Sequence, residues 1–327
     1  MSLSVFFIFI LSCSEPEKLI KIRGNTMGTT YSITLINDEN KIDKKQLEVE
    51  IEKVLKKVNM EMSTFIDKSE ISKFNSSNSI NWFPVSKDFA KVVKNSLDIS
   101  EQSNGAFDVT VGPLIELWGF GRKTSETIPS DKAIDLTSTY IGYEKLHTQK
   151  NPPALKKDMA KLQINLSAIA KGYGVDRVAE FLVSKDIVNY LVEIGGEIRA
   201  GGNKYGKKWR IGIVIPDTIS KYDKIINISN ISFATSGDYF NYFEKNGKRY
   251  SHTIDPKTKR PITHKLASVT VGYKTCMMAD GYATTINVMG TKKGYEFALK
   301  KHLPVYMIIR GKSGFIIKMT PSFKQFF

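Results

Sequence analysis

Residues 165–176 read Asn165-Leu166-Ser167-Ala168-Ile169-Ala170-Lys171-Gly172-Tyr173-Gly174-Val175-Asp176. Asn165 and Ser167 are residue types that begin helices, and the apolar spacing after them predicts a helix that runs to about Leu182. A strand is predicted soon after it, at Tyr190–Ile194. Because helices and strands are interleaved along the chain without strict alternation, the pattern favours an α+β or mixed α/β fold.

The segments on either side support this fold class. Tyr31, Ile33 and Leu35 alternate with polar residues and predict a strand over 30–36. Apolar residues at helical spacing predict a helix over 47–62, and Ser86 is the predicted N-cap of another. A further helix is predicted over 277–289, and further strands over 209–215, 250–254, 268–272 and 305–310. The polar stretch 121–160 is the predicted insertion or connection between lobes.

Composition excludes several classes of protein. The chain has 327 residues, of which 41% are hydrophobic, so it is neither disordered, collagen-like nor a bundle of membrane spans. There are 48 Lys and Arg against 33 Asp and Glu, which gives a net charge of +15. The basic residues are mostly scattered lysines and no nucleic-acid-binding motif is present. We therefore expect a lysine-rich solvated surface rather than a nucleic-acid partner.

The N-terminus has the pattern of an export signal. An apolar run over 3–11 is too short to span a bilayer as a mature helix. Ser12-Cys13 follow this run, and the pattern resembles a bacterial lipobox with Cys13 as the lipidated residue. The predicted organisation is a signal peptide over 1–13, a polar tether over 14–24 and a single domain over 25–327. The expected location is the periplasmic side of a membrane, held by a lipid anchor; a soluble, signal-cleaved protein is the alternative.

Several segments combine glycines with small hydroxyls and isolated charges. In 105–113, Gly105 and Gly112 allow close approach of backbone to a ligand, and Phe107 could stack on a planar ring or belong to a core turn. Free amides at a helix start suit an anionic group, and Lys171 adds positive charge there. Lys171-Gly172 is not a P-loop, because the leading Gly and the following Ser or Thr are missing.

Two further segments offer acid–base and metal chemistry. His252 stands beside Ser251 and three residues before Asp255, and its polar neighbours favour acid–base work over a purely structural role. Asp280 and Thr284 are four residues apart, so a helix places them on one face. One carboxylate and one hydroxyl, completed by waters and phosphate oxygens, suit Mg²⁺. Either segment alone is also compatible with a structural role.

Taken in order, these segments resemble the ApbE-type family of FAD:protein FMN transferases, from about Thr26 to Gly290. The resemblance implies a fold of mixed sheets flanked by helices, with FAD in a cleft between two lobes. It also implies Mg²⁺-dependent cleavage of FAD, transfer of FMN through a phosphoester to a Thr or Ser of an acceptor protein, and release of AMP. The implied acceptors are subunits of Rnf-type or sodium-translocating NADH:quinone reductase-type complexes.

The resemblance also implies roles for individual residues. Those that match the family's metal ligands are Ala170, through its carbonyl, Asp280 and Thr284. Those that match its FAD contacts are Met27, Phe65, Ala106, Phe107, Asp108, Ser167, Tyr173 and Ile254. Asn25, Lys171, Asp238 and His252 lie where polar groups near the flavin or phosphates are expected. Asn165 stands where the family commonly has Asp.

The residues leave two questions open. The base that removes the acceptor proton is His252, Asp238 or Asp280, with a slight preference for His252, because a metal-bound carboxylate is a weaker base. Lys171 is the expected cationic stabiliser. The alternative functions are an Mg²⁺-dependent FAD pyrophosphatase that gives FMN and AMP, and a flavin-binding lipoprotein without turnover.

Overall fold

The computed structural model describes residues 18–37, 42–122, 124–216, 218–238 and 241–327. The strands are β1 Lys18–Thr26, β2 Thr29–Asn37, β3 Phe83–Pro84, β4 Leu146–Gln149, β5 Ala154–Lys157, β6 Tyr190–Ile194, β7 Glu197–Gly201, β8 Trp209–Ile215, β9 Thr218–Ile228, β10 Ile231–Gly237, β11 Tyr242–Lys245, β12 Lys248–Ser251, β13 Ile254–Asp255, β14 Arg260–Pro261, β15 Leu266–Tyr273, β16 Val305–Arg310 and β17 Phe315–Met319. The α-helices are α1 Lys44–Met62, α2 Glu70–Ser76, α3 Lys87–Gln102, α4 Gly112–Leu117, α5 Asp131–Ser138, α6 Ala170–Val183 and α7 Cys276–Lys300. Short 3-10 helices cover Val109–Val111, Tyr143–Lys145 and Pro321–Phe326.

One large sheet organises the part of the chain that the structure describes. Its eight strands lie in the order β1-β2-β6-β7-β10-β15-β16-β17, and each neighbouring pair is antiparallel. The smaller sheets, β3-β5-β4, β8-β9, β11-β12 and β13-β14, are antiparallel as well. The predicted α+β class is therefore confirmed, with antiparallel rather than mixed sheets.

The large sheet is covered on both faces. Along β16, Val305 and Met307 belong to a core cluster with α7, whereas Tyr306 and Ile308 pack with β8, β9 and the C-terminal 3-10 helix. Since alternate residues of a strand point to opposite faces, the sheet is the middle of three layers. Helices α1, α6 and α7 form one outer layer, in which α6 packs against both α1 and α7.

The predicted tether over 14–24 is wrong from Lys18 onward. These residues form β1, which pairs with β2 from Lys18–Asn37 to Thr26–Thr29. Ile20 and Ile22 are buried against the helical layer, while Lys21 and Arg23 face solvent. Buried and exposed residues therefore alternate, as in an edge strand, within a segment that was predicted to be a polar tether. The predicted signal peptide and Cys13 lie outside the described residues.

Most other element predictions are confirmed. Strands appear at 190–194, 209–215 and 305–310, and Ser86 caps α3 by accepting a hydrogen bond from Phe89 N–H. The helix over 277–289 is the first part of α7, which loses helical geometry at Gly290, where φ is 72°. The segment 121–160 is less irregular than expected, because it contains α5, β4 and β5.

Two local predictions are corrected. Helix α6 begins at Ala170, and neither Asn165 nor Ser167 caps it, because the Asn165 side chain instead accepts a hydrogen bond from Ser167 N–H. The predicted strand over 250–254 is divided between β12 and β13, which belong to different sheets. The described residues contain no helix that is long and apolar enough to span a membrane.

Candidate active site

Helices α6 and α7 make an unusually close contact at Gly172. A Cβ at this position would lie 2.4 Å from the Cys276 carbonyl oxygen and 2.8 Å from Asp280 Cβ. The Gly172 N–H donates to Asp280 Oδ2 at 3.0 Å, in a buried setting. One amide that the sequence offered to an anionic ligand is therefore bonded to a carboxylate of the protein. The same contact brings the start of α6 beside Asp280.

A second contact between the helices lies one turn along α6. Both carboxylate oxygens of Asp176 accept hydrogen bonds from the first turn of α7: Oδ1 from Cys276 N–H and Oδ2 from Met277 N–H, each at 2.9 Å. Thr275, at the N-cap position, makes no capping bond with its side chain. Asp176 also pairs with Arg199 of β7 at 2.6 Å. Asp176 thus accepts from the free N–H groups at the start of α7, which a local N-cap side chain would normally bond.

Lys171, Glu197 and Asp280 form a cluster of charges between α6, β7 and α7. Lys171 Nζ lies 3.4 Å from Glu197 Oε2, and this carboxylate is 2% exposed. Burial alone would lower the pKa of Lys171, but the carboxylates of Asp280 and Glu197 outweigh it and raise the pKa. Burial raises the pKa of both Glu197 and Asp280, and Lys171 opposes this shift only in part.

The cluster has the donor set and charge for a hard divalent cation. When both carboxylates are ionised, two negative charges face one ammonium, and Glu197 Oε2 makes no hydrogen bond within the described residues. Asp280 Oδ1 and the Thr284 hydroxyl likewise have no protein partner there. The described chain holds no group of three His, Cys, Asp or Glu suited to a metal. A cation here would therefore need hydroxyl, carbonyl and ligand oxygens beside Asp280, as Mg²⁺ accepts.

His252 is held in one orientation by the backbone of Asn241. His252 Nδ1 lies 2.9 Å from the Asn241 carbonyl oxygen, and His252 N–H donates to the same oxygen at 3.0 Å. Because a carbonyl only accepts, Nδ1 carries the proton and Nε2 keeps its lone pair. Burial lowers the pKa of His252 and nearby Lys171 lowers it further, against the effect of the Asn241 carbonyl. The imidazole is thus neutral near pH 7.

Asp238 is less suited to accept a proton than the sequence suggested. Its Oδ1 accepts a hydrogen bond from Arg310 Nη2 at 2.8 Å, which pairs the carboxylate with a permanent cation. Asp280 accepts from Gly172 N–H and belongs to the charged cluster, and Asp238 is paired with Arg310, whereas His252 is a neutral base whose Nε2 keeps its lone pair. Tyr239, the residue after Asp238, lies outside the described residues.

Aromatic rings connect His252 to the segment after α4. Phe120 meets His252 edge-on, with ring centroids 6.4 Å apart, and stacks on Phe243 at 5.5 Å. Phe243 in turn stacks on Tyr250, and Tyr250 stacks on Trp118. The aromatic stack, as we name Trp118, Tyr250, Phe243 and Phe120, thus supports the hairpin β11–β12 that leads to His252.

The predicted FAD contacts fall into exposed and buried groups. Phe65 is exposed, with 69% of its surface accessible. Arg122 fixes the loop that carries it, because Arg122 pairs with Asp67 at 2.7 Å and donates to Thr64 O. Met27 lies at the tip of a two-residue hairpin, where Met27 and Gly28 have φ of 52° and 73°. Its side chain contacts α6 beside Gly174.

The other residues predicted near FAD differ in burial and in their hydrogen bonds. Phe107 and Tyr173 are 2% and 1% exposed in the same core cluster, so Phe107 presents no free ring face. Asp108 accepts from Thr110 N–H and Thr110 hydroxyl with Oδ1 and from Tyr143 N–H with Oδ2. Ala106 is buried, Ser167 is exposed in the turn before α6, and Ile254 packs with Trp118. Asn25 is exposed at the end of β1.

Two residues of this region were not singled out by the sequence. Glu197 follows the Gly195-Gly196 turn, which forms the β6–β7 hairpin, and only the fold reveals that its carboxylate is buried beside Lys171. Asp176 was quoted at the end of the 165–176 segment without a role. The sequence did hold one signal of its burial: Asp176 is a charged residue in a predicted helix, and Val175 and Val178 beside it are apolar.

Comparison with known proteins agrees with this geometry. The profile of the ApbE family matches residues 27–308. The chain belongs to the ApbE family. A relative named FAD:protein FMN transferase, from Vibrio cholerae serotype O1, is 44% identical over 322 residues, which span 98% of this chain and 96% of the relative. Another with that name, from Haemophilus influenzae, is 43% identical and is covered over 94% of its length.

Solved structures of the family have the same fold. The flavin transferase ApbE from Vibrio cholerae superposes with a TM-score of 0.88 at 43% identity, covering 95% of this chain and 100% of that chain. The apo form of Pseudomonas stutzeri flavinyl transferase ApbE gives 0.88 at 35% identity, covering 95% and 97%. The protein is thus an enzyme of the FAD:protein FMN transferase type, which acts in flavin transfer, and the predicted family is confirmed.

Proposed function

We propose that the protein transfers FMN from FAD to a Thr or Ser hydroxyl of an acceptor protein, with Mg²⁺ held by Asp280, Thr284 and the Ala170 carbonyl. The observation that supports this most is the pair of buried carboxylates, Glu197 and Asp280, beside the single ammonium of Lys171. Burial raises the pKa of both carboxylates and so favours their protonated forms, whereas a bound divalent cation would let both stay ionised at neutral pH. When bound, Mg²⁺ would neutralise pyrophosphate charge and make the phosphorus more electrophilic.

The proposed reaction is a displacement at one phosphorus. The acceptor oxygen forms a bond to the phosphorus attached to riboflavin, and the bond from this phosphorus to the bridging oxygen breaks. The bridging oxygen leaves with AMP, and FMN remains on the acceptor as a phosphoester. Lys171, oriented by Glu197, would stabilise the charge that develops on the phosphate oxygens.

His252 is the proposed base for the hydroxyl proton. Its Nδ1–H is committed to the Asn241 carbonyl, so the lone pair on Nε2 is available to take the proton. The lowered pKa keeps this nitrogen unprotonated at neutral pH. Asp238 is proposed to act on structure instead, through its pair with Arg310.

The FAD contacts are proposed in two groups. Phe65, exposed on a loop fixed by Arg122, is free to pack against a planar ring, and Met27 and Ser167 are accessible beside α6. Ala106, Phe107, Asp108, Tyr173 and Ile254 are buried. For these residues we propose that contact with FAD is made by the backbone they hold in place, since the Asp108 oxygens are already bonded.

We also propose that the protein is exported and lipid-anchored at Cys13, on the periplasmic side of a membrane. This location suits acceptors that are subunits of Rnf-type or sodium-translocating NADH:quinone reductase-type complexes. Incorporation of labelled palmitate that is lost in Cys13→Ser would support the anchor. Equal labelling of both proteins would contradict it.

The transferase is tested by incubating the protein with FAD, Mg²⁺ and an acceptor that carries a candidate Thr. We expect the acceptor to gain the mass of one FMN with equimolar AMP, and to gain nothing in the presence of EDTA. The matched control is the acceptor with Thr replaced by Val. AMP with free FMN and an unmodified acceptor would indicate a pyrophosphatase instead, and bound but intact FAD would indicate a flavin-binding protein.

A further inference from the structure

Asp176 joins the three elements that carry the charged cluster. Its two oxygens accept from the first two N–H groups of α7, and Oδ1 also pairs with Arg199 of β7. The carboxylate is 4% exposed, so water does not compete for these bonds. Cys276 N–H and the Arg199 guanidinium therefore bond Oδ1, and Met277 N–H bonds Oδ2.

The helix that carries Asp176 and the two elements that it bonds each hold one member of the cluster. Lys171 lies five residues before Asp176 on α6, and Asp280 lies one turn after Cys276 on α7. Glu197 lies two residues before Arg199 on β7, so both side chains point to the same face of the strand. The Gly172–Asp280 bond is the other hydrogen bond that joins α6 to α7 beside the cluster.

We propose that Asp176 is a positioning residue that sets the spacing of Lys171, Glu197 and Asp280, and with it the affinity for the divalent cation. This inference rests on the proposed function, because the cation would be held by Asp280, Thr284 and Ala170. Asp176 does not touch the cation or FAD in this arrangement. Removal of such an outer residue typically weakens a metal site by about 10- to 100-fold.

A simpler role must be distinguished from this one. Asp176 could serve only as a cap for α7, replacing the bond that Thr275 does not make. A new cap at position 275 would then restore everything that Asp176 contributes, because an Asp there can accept from the N–H groups of the first turn. It would not restore the connection to α6 and β7.

The test measures Mn²⁺ binding by electron paramagnetic resonance, together with the melting temperature, in the full chain without FAD. The variants are Asp176→Asn and Asp176→Asn with Thr275→Asp. The matched control is Glu61→Gln, which changes another buried carboxylate to an amide outside the cluster. We expect Asp176→Asn to bind Mn²⁺ at least about tenfold more weakly, and the double variant to regain melting temperature but not Mn²⁺ affinity. Glu61→Gln should bind like the wild type.

The outcomes separate the proposals. Restored Mn²⁺ affinity in the double variant, or wild-type affinity in Asp176→Asn, would show that Asp176 does not position the cluster. If neither variant folds, Asp176 is required for the fold itself and the proposal is wrong. A wild-type protein that binds no Mn²⁺, or an Asp280→Asn variant that binds it equally well, would instead overturn the proposed cation site.

Discussion

Thr284 and Thr285 are neighbours on α7, yet their hydroxyls have different partners. The Thr285 hydroxyl is buried and donates to the Gly281 carbonyl at 2.7 Å, whereas the Thr284 hydroxyl has no partner within the described residues. We predict that Thr284→Val lowers Mg²⁺ affinity and the transfer rate at least about tenfold with little change in stability. Titration of the transfer rate with Mg²⁺ measures this effect.

The control for this prediction is Thr285→Val. It removes a buried hydroxyl that bonds only the helix backbone, so we expect a change in melting temperature and normal Mg²⁺ dependence. A larger loss of Mg²⁺ affinity in Thr285→Val than in Thr284→Val would show that Thr284 is not the metal ligand.

His252 gives a second prediction at the scale of one residue. Only the neutral imidazole can accept a proton, and its pKa is lowered from the ordinary value near 6.5. The transfer rate should therefore rise with pH through this lowered pKa and reach a plateau by neutral pH. In His252→Gln we expect a rate lower by about 10²- to 10⁴-fold and loss of that pH step. A retained step in the variant would mean that another group is the base.

At the scale of elements, the contact between α6 and α7 depends on the absence of a side chain at Gly172. A Cβ there would meet backbone and Asp280, neither of which can move easily. We predict that Gly172→Ala lowers the free energy of unfolding by about 1–3 kcal/mol, despite the higher helix propensity of Ala. Urea unfolding measures the change.

Gly174, on the same helix, provides the comparison. A Cβ at Gly174 would lie 2.6 Å from Met27 Cε, the flexible end of a side chain. Gly174→Ala should therefore stay within about 1 kcal/mol of the wild type. Equal losses of unfolding free energy in the two variants would show that the close contact of α6 with α7 at Gly172 does not set the cost of a side chain there.

The elements also show what the sequence could reveal. Strands β6, β8 and β16 and the N-cap of α3 follow from local patterns, and Asp280 and Thr284 share a helix as their spacing predicts. The start of α6 was misplaced because Asn165 and Ser167, both good capping residues, form a turn instead. Glu197 and Asp176 gain their roles from contacts between distant segments, which local periodicity does not encode.

At the scale of the whole molecule, stability depends on pH through a buried lysine. Lys157 is 1% exposed, and its ammonium donates to the carbonyls of Phe74 and Leu162, with no carboxylate partner among the residues that the structure describes. Burial lowers the pKa of Lys157 to about 8. Because the unfolded chain binds this proton more tightly, the charged form costs stability below about pH 8, and the cost disappears as pH rises past the unfolded pKa of about 10.4.

We therefore compare Lys157→Met with the wild type from pH 7 to pH 10. The difference in unfolding free energy should shift in favour of the wild type as pH rises. Lys156→Met, at the less buried neighbouring position, should show a nearly constant difference. A constant difference for Lys157→Met as well would mean that this lysine stays charged in the folded protein.

The central claim is that the cluster around Asp280 is where FMN leaves FAD. Its most direct test is the mass of a Thr-bearing acceptor after incubation with FAD, Mg²⁺ and the Asp280→Asn variant. The control is Asp158→Asn, which replaces an exposed carboxylate outside the cluster. We predict no FMN on the acceptor with Asp280→Asn, although this variant still folds and quenches FAD fluorescence, and normal transfer with Asp158→Asn. Transfer by Asp280→Asn at the wild-type rate would contradict the claim.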